Sequence, residues 1–152
     1  QGDAFIGNVG HPSRLEVAVM GDAVNLAARI ESANKFYGTD ILISEQLVET
    51  AGNPTGLMEV DRVLLSGSSR PIDLFCPTNE YGGEKTENSA WVDRWNEAVS
   101  HYREKRFETA LEIFESLEQA PESIRGIYLG RCRDFLHTSP PSDWSPVQKL
   151  EK

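Results

Sequence analysis

The stretch Met20-Gly21-Asp22-Ala23-Val24-Asn25-Leu26-Ala27-Ala28-Arg29 decides how the first half of this chain folds. Two β-like runs, at 4–9 and 15–20, precede it and predict a hairpin across a turn at 11–13. From Gly21 onward the apolar spacing becomes helical, with Asp22 as the expected N-cap and Gly38 as the C-terminal stop. The sequence therefore predicts a strand pair followed by a helix over 23–36.

The rest of the first half alternates short strands and a short helix. A buried strand is expected at 40–43, a brief helix follows the cap residue Ser44, and strands are expected at 57–65 and 72–75. The order strand, strand, helix, strand, helix, strand, strand is typical of an α+β fold.

The second half has helical spacing. Ser89 is expected to cap a helix that runs to about Arg103, a second helix surrounds 107–117, and a third restarts at Ser123 after Pro121. Trp91 and Trp95 share one face and are expected to be core residues. These patterns predict a first domain at 1–77, a linker at 78–88, a helical segment at 89–138 and an extended tail at 139–152.

Charge and composition exclude several classes of protein. The 152 residues contain 15 Lys+Arg and 24 Asp+Glu, a formal net charge of −9, which argues against nucleic-acid binding and against a polybasic membrane-surface module. No apolar run approaches the roughly 18 residues that a membrane span needs, and no signal peptide is visible, so we expect a piece cut from a longer chain. Cys76 and Cys132 form no metal-binding spacing, which fits a reducing compartment.

Asn25 and Arg29 are the residues of most chemical interest. Their spacing of four places them on one face near the start of the predicted helix, where backbone N–H groups and the positive end of the helix dipole favour anions. A guanidinium matches phosphate oxygens with two parallel hydrogen bonds. Exposed Asn and Arg are common on solvated helix faces, so spacing alone leaves both interpretations open.

The motifs together resemble the C-terminal half of class III adenylate/guanylate cyclase catalytic domains. The matching segments lie at 7–10, 20–31, 37–39 and 41–45, with further matches at 61–63, Gly67 and Pro71, so the resemblance covers nearly all of residues 1–77. It implies a partial ferredoxin-like cyclase sheet with helices. It also implies that Asn25 orients the nucleotide ribose, and that Arg29 stabilises charge on the α-phosphate as the 3′-hydroxyl displaces pyrophosphate.

The same resemblance implies the partners of the parent protein. The substrate would be ATP or GTP, the cofactor Mg²⁺ or Mn²⁺, and the assembly a homodimer in which one subunit gives the metal carboxylates and the other gives Asn and Arg. In the family those carboxylates belong to the N-terminal half, so we expect no metal ligands in this chain and no activity of this chain alone. We expect no nucleic-acid partner, no membrane insertion of this segment, and a cytoplasmic location. The resemblance includes membrane-anchored receptors, so the parent protein could be one of them.

Several positions depart from the family pattern. Ala18 stands where many members have Thr or Asp that reads the purine edge, and a methyl group cannot form a hydrogen bond. Ser68 stands where the second Lys of a Lys-Gly-Lys segment contacts phosphate; Arg70 either replaces it or is an exposed loop residue. The expected substrate-binding positions are Ala18, Val19, Val24, Ser68 and Arg70.

The helical half weakly resembles one tetratricopeptide unit. A single copy cannot bury its faces alone, so it must dock on the third helix, the sheet or a partner chain. The end of the chain also resembles tails that follow cyclase domains in bacterial receptor-type cyclases. Two functions therefore remain: a piece of a nucleotide cyclase, favoured by Asn25 and Arg29, or a non-catalytic regulatory or dimerisation module derived from a cyclase, favoured by Ala18 and Ser68.

Overall fold

The computed structural model describes residues 2–11, 14–78 and 90–150. Within them, strands and helices alternate in the mixed order of an α+β fold, which confirms the predicted class. The elements are β1 (Phe5–His11), β2 (Arg14–Met20), α1 (Asp22–Tyr37), β3 (Ile43–Ser44), α2 (Glu45–Thr50), β4 (Leu57–Leu65), β5 (Ile72–Pro77), α3 (Ala90–Arg103), α4 (Phe107–Ser116), α5 (Glu122–His137) and β6 (Gln148–Leu150). No helix in these ranges is long and apolar enough to cross a membrane. The Pro12-Ser13 turn, the Ser89 cap and the predicted linker beyond Thr78 lie outside the described residues.

Helix α1 begins where the hairpin ends, at a glycine. The prediction that Asp22 is the N-cap is wrong, because Asp22 is already the first helical residue and Gly21 is the cap. Gly21 has a φ of 151°, and a Cβ there would lie 2.7 Å from the Asp3 carbonyl oxygen, so only glycine fits this junction. The predicted stop is confirmed, since Gly38 ends α1 in the left-handed conformation with a φ of 66°.

The main sheet has four strands in the order β3-β5-β4-β6. Strand β5 is antiparallel to both β3 and β4, whereas β6 runs parallel to β4. The predicted strand at 40–43 is wrong in extent, because only Ile43 and Ser44 pair with β5 and Ile41 is half exposed. The strands predicted at 57–65 and 72–75 are confirmed, the second continuing to Pro77.

The three helices of the second half pack on one another and on β4. Trp95 is fully buried and its Nε1 donates a hydrogen bond to the Glu59 carbonyl oxygen at 2.7 Å. The hydroxyl of Tyr128 donates to the Val60 carbonyl oxygen at 3.0 Å. Asn96 Oδ1 accepts a hydrogen bond from the Glu59 N–H at 2.9 Å. The helical segment therefore docks on its own third helix and on the main sheet, with which it shares one apolar core.

The chain after α5 returns to the sheet. Trp144 packs among the rings of Tyr102, Phe107 and Phe135 with centroid distances between 5.3 and 5.7 Å. Strand β6 then pairs with β4, with Leu150 opposite Leu65. Within the predicted extended tail at 139–152, residues 148–150 thus form a strand of the main sheet, a pairing that the sequence did not predict.

Candidate functional site

The Arg29 side chain is held by a residue from a distant part of the sequence. Arg29 Nη1 donates a hydrogen bond to Ser68 Oγ at 3.1 Å. Ser68 lies in the turn after β4, where its own N–H donates to the Leu65 carbonyl oxygen at 2.9 Å. The structure thus brings together two of the predicted site residues, and the Ser68 hydroxyl orients the guanidinium.

The neighbouring glycine makes this contact possible. Gly67 has a φ of 71°, a conformation that L side chains rarely adopt. A Cβ at this position would also lie 3.2 Å from Arg29 Nη2. The backbone conformation therefore favours glycine at this position, and the absence of a side chain leaves room for the Arg29 guanidinium.

Asn25 lies one turn before Arg29 on α1 and is exposed, whereas Arg29 is half-buried. It lies in the first turn of the helix, and its backbone N–H donates a hydrogen bond to the Gly21 carbonyl oxygen at 3.0 Å. The amide is therefore free of the core, and the guanidinium is partly enclosed. Val24 precedes Asn25 and is half-buried.

The other predicted binding residues stand on different elements. Ala18 and Val19 lie on β2, opposite Gly7 and Ile6 of β1. Arg70 is exposed in the segment between β4 and β5. As substrate contacts these three positions stay predictions, and so do Val24 and Ser68. The structure shows only that Ser68 and Arg29 are joined by a hydrogen bond.

The β1–β2 hairpin forms its own two-stranded sheet and presents apolar side chains to solvent. At least 46% of each of these side chains is exposed: Phe5, Ile6, Val9, Val17, Val19 and Met20. The described part of this strand pair therefore carries an exposed apolar surface on a two-stranded sheet.

A cavity of about 460 Å³ opens beside Arg29, between α1, the end of β4 and β6. Its charged lining residues are Arg29 and Lys149, and its polar ones are Ser32 and Ser66. Apolar side chains, including Phe36, complete the wall, and among the described residues no carboxylate lines it. In a chain with a net charge of −9, this is a local positive site suited to an anion.

This lining does not fit a divalent metal ion. Mg²⁺ and Mn²⁺ are bound through carboxylate oxygens, and the cavity offers cations and hydroxyl groups instead. Across residues 2–11, 14–78 and 90–150, no three His, Cys, Asp or Glu side chains gather at a metal-binding distance.

A buried ionic cluster holds the far end of α1. Asp61 is 1% exposed, accepts a hydrogen bond from the Tyr37 hydroxyl at 2.8 Å, and its Oδ2 lies 2.8 Å from Arg131 Nη1. Burial and the adjacent Asp61 carboxylate raise the pKa of Tyr37, so its hydroxyl keeps its proton. Burial alone would lower the pKa of Arg131, but Asp61 raises it, so Arg131 stays charged. Ser123 on α5 also donates to the Tyr37 carbonyl oxygen, at 2.7 Å.

Sequence reasoning missed this cluster and Lys149. Tyr37 and Asp61 belong to the segments that resemble the cyclases, but nothing in their spacing indicates a contact with Arg131. Lys149 lies in a strand of three residues, which is too short for a periodic pattern to reveal.

Curated proteins similar to this chain are adenylate cyclases. The chain is 38% identical over 78 residues to an adenylate cyclase of Anabaena cylindrica, covering 49% of this chain and 16% of that protein. It is 35% identical over 74 residues to adenylate cyclase 1 of Rhizobium meliloti (strain 1021), covering 49% of this chain and 11% of the relative. It is 28% identical over 143 residues to a terminal-differentiation specific adenylate cyclase of Dictyostelium discoideum, covering 90% of this chain and 7% of the relative.

The chain thus spans 16% or less of the length of each of these relatives. No protein-family profile matches it, and no solved structure matches it significantly. The comparisons confirm a relationship to adenylate cyclases.

Proposed function

We propose that this chain, related in sequence to adenylate cyclases, is the part of such an enzyme that supplies Asn25 and Arg29 to the reacting nucleotide. In the proposed reaction, the ribose 3′-oxygen of ATP forms a bond to the α-phosphorus. The bond from that phosphorus to the bridging oxygen breaks, the hydroxyl proton is released, and pyrophosphate leaves. GTP is the alternative substrate. The observation that carries the proposal is the Arg29 guanidinium, oriented by Ser68 at a cavity whose charged lining residues, in the described part of the chain, are both cations.

Arg29 acts on the charge that develops at the α-phosphate. A guanidinium held in place by a neighbouring hydroxyl needs little reorganisation when negative charge grows on the phosphate oxygens. Removal of one such preorganised donor typically costs about 10²–10³ in rate. Asn25, exposed one turn earlier on the same helix, would accept and donate hydrogen bonds to the ribose and so align its 3′-hydroxyl.

Mg²⁺ or Mn²⁺ in the parent enzyme would be held outside this chain. The described residues that line the cavity beside Arg29 include two cationic side chains and no carboxylate, so they suit the polyphosphate rather than a metal ion. We therefore assign this chain the phosphate and ribose contacts and leave the metal carboxylates to the N-terminal half of the cyclase domain, in a homodimer of the parent protein.

The exposed hairpin supports an assembly of that kind. Its six apolar side chains, each at least 46% exposed, would be covered by the missing half of the domain or by the second subunit. The helices α3 and α4 would be a single tetratricopeptide-like hairpin, folded against the sheet, and the segment would lie in the cytoplasm.

A non-catalytic regulatory or dimerisation module is the second candidate. One observation favours it: Ser68, where the cyclase pattern has a phosphate-binding lysine, bonds to Arg29 instead. In such a module Arg29 would be a structural residue and no nucleotide would react.

Cyclic nucleotide formation separates the two candidates. The full-length protein, incubated with ATP or GTP and Mg²⁺ or Mn²⁺, should release cyclic product and pyrophosphate, and residues 1–152 alone should release neither. A full-length protein that folds but forms no cyclic nucleotide under any of these conditions would favour the regulatory module. Product from residues 1–152 alone would contradict the assignment of the metal carboxylates to another segment.

A further inference from the structure

Strand β6 brings a second cation to the cavity beside Arg29. Lys149 stands opposite Leu64 in the parallel pairing of β6 with β4, is exposed, and lines the same cavity as Arg29. The cavity therefore has one cation on the helical wall and one on the strand wall, and no carboxylate lines it within residues 2–11, 14–78 and 90–150.

The position of β6 is fixed by contacts with the helical segment. Arg131 Nη2 donates a hydrogen bond to Gln148 Oε1 at 3.2 Å, while Nη1 of the same side chain pairs with Asp61 at 2.8 Å. Trp144 anchors the preceding residues in the aromatic cluster of the helices. Lys149 thus lies within a strand whose position is fixed by these contacts, so its backbone is preorganised beside the cavity.

Ser68 contributes no positive charge to the site, so a second cation can have a function there. Its hydroxyl is engaged with Arg29 and carries no charge. A polyphosphate spreads its negative charge over several groups, and one guanidinium can contact only part of it. A second cation in the same cavity would contact the remainder.

We propose that Lys149 is a phosphate-binding residue of the Arg29 site, contributed by strand β6. The group that it binds is the pyrophosphate portion of the nucleotide. This inference rests on the proposed function. It gives the helical segment a part in the site, because α5 and Trp144 hold the strand that carries the lysine.

The competing explanation for Lys149 is a lysine that discourages strand pairing. Strand β6 lies at one end of the strand order in the described part of the sheet, and exposed lysines on edge strands prevent association with other strands. Such a lysine would not change the affinity for pyrophosphate more than any other surface lysine does.

Pyrophosphate binding to residues 1–152, measured by isothermal titration calorimetry, tests the proposal. The variants are Lys149→Ala, Lys149→Arg and Arg29→Ala, with Lys35→Ala as the matched control. Lys35 is an exposed residue of α1, so its removal changes the net charge as removal of Lys149 does. Circular dichroism confirms that each variant is folded.

We expect Lys149→Ala to weaken pyrophosphate binding about tenfold, the size expected of one charge-assisted contact. Lys149→Arg and Lys35→Ala should each stay within about twofold of the unmodified chain, since one keeps the cation and the other lies outside the cavity. Arg29→Ala should weaken binding at least as much as Lys149→Ala.

Two results would overturn the proposal in distinguishable ways. If Lys149→Ala behaves like Lys35→Ala while Arg29→Ala loses affinity, Lys149 is not part of the site and the proposed function stands. If the unmodified chain does not bind pyrophosphate at millimolar concentration, or Arg29→Ala binds as well as the unmodified chain, both the proposed function and the role of Lys149 fail.

Discussion

Arg131 Nη1 lies 2.8 Å from Asp61 Oδ2, so a helix of the second half is ion-paired with a strand of the first half inside the core. Asp61 also accepts the Tyr37 hydroxyl, and Tyr37 is the last residue of the helix that carries Asn25 and Arg29. Removal of either member of this pair would leave a buried charge without its partner. The free-energy cost of that unpaired charge exceeds the net stabilisation that the pair provides. The cluster is therefore the structural link between the helical segment and the candidate site.

Asp61→Asn should destabilise the chain by about 3 kcal/mol, because Arg131 would remain charged and buried without a carboxylate. Urea unfolding of residues 1–152 measures the change. The control is Glu115→Gln, which breaks an exposed ion pair. The Arg133 side chain of that pair is 60% exposed and the Glu115 side chain is 51% exposed. That variant should lose less than about 0.5 kcal/mol. Equal losses in the two variants would show that the Asp61 pair is no more important than a surface pair.

Ser68→Ala should lower kcat of the full-length enzyme about fivefold and leave KM within about twofold, because the guanidinium loses the hydroxyl that orients it, worth about 1 kcal/mol. Steady-state kinetics with ATP measures both constants. Ser68→Thr keeps a hydroxyl and should restore most of kcat. A loss in Ser68→Thr as large as in Ser68→Ala would mean that the hydrogen bond to Arg29 is not what the site requires.

Ala18→Thr should raise the ratio of kcat/KM for ATP to kcat/KM for GTP in the full-length enzyme. If the new hydroxyl bonds to the base, the rise should correspond to about 1 kcal/mol of transition-state free energy. Ala18 is half-buried on β2, opposite Gly7, so a larger side chain has little to displace on the partner strand. Ala18→Val has the shape of threonine without the hydroxyl and is the matched control. An unchanged ratio in both active variants would place base selection outside this hairpin.

Cys132 should resist alkylation in the folded chain even at alkaline pH. Burial raises the pKa of its thiol from 9.0 to about 12, with Arg131 opposing the shift. Iodoacetamide labelling at pH 9, followed by mass spectrometry, should therefore modify Cys132 at least about tenfold faster in urea than in buffer. Because the folded thiol keeps its proton to higher pH than the unfolded one, its contribution to stability is present below about pH 9 and is lost as the pH rises toward about 12. Equal labelling rates in urea and in buffer would contradict this burial.

Local signals predicted the helix of the site well. The apolar spacing and the glycine stop define α1, because both depend on residues within one helix. The prediction of an Asp22 cap was wrong because the chain turns at Gly21. Gly21 has a positive φ, and it lies so close to Asp3 that a Cβ would not fit. Strand β6 could not be predicted, since three residues carry no pattern and their partner strand is far away in sequence.

The candidate site was predictable only through the family resemblance. Both Arg29 and Ser68 follow from the matched motifs, but the hydrogen bond between them joins residues 39 positions apart and depends on the folded turn at Gly67. Lys149 reaches the cavity through the pairing of β6, and Arg131 reaches Asp61 through the docking of α5. Contacts of this kind are set by tertiary packing, which a pattern within one segment does not contain.

The most direct test of the account is the steady-state kinetics of Arg29→Ala in the full-length protein with ATP, beside Arg94→Ala as an exposed arginine of α3 outside the site. Because Arg29 acts mainly on the transition state, kcat should fall about 10²-fold or more while KM changes less than about threefold, and Arg94→Ala should affect both constants less. A rise in KM with kcat unchanged, or an Arg29→Ala enzyme as active as the unmodified protein, would contradict it.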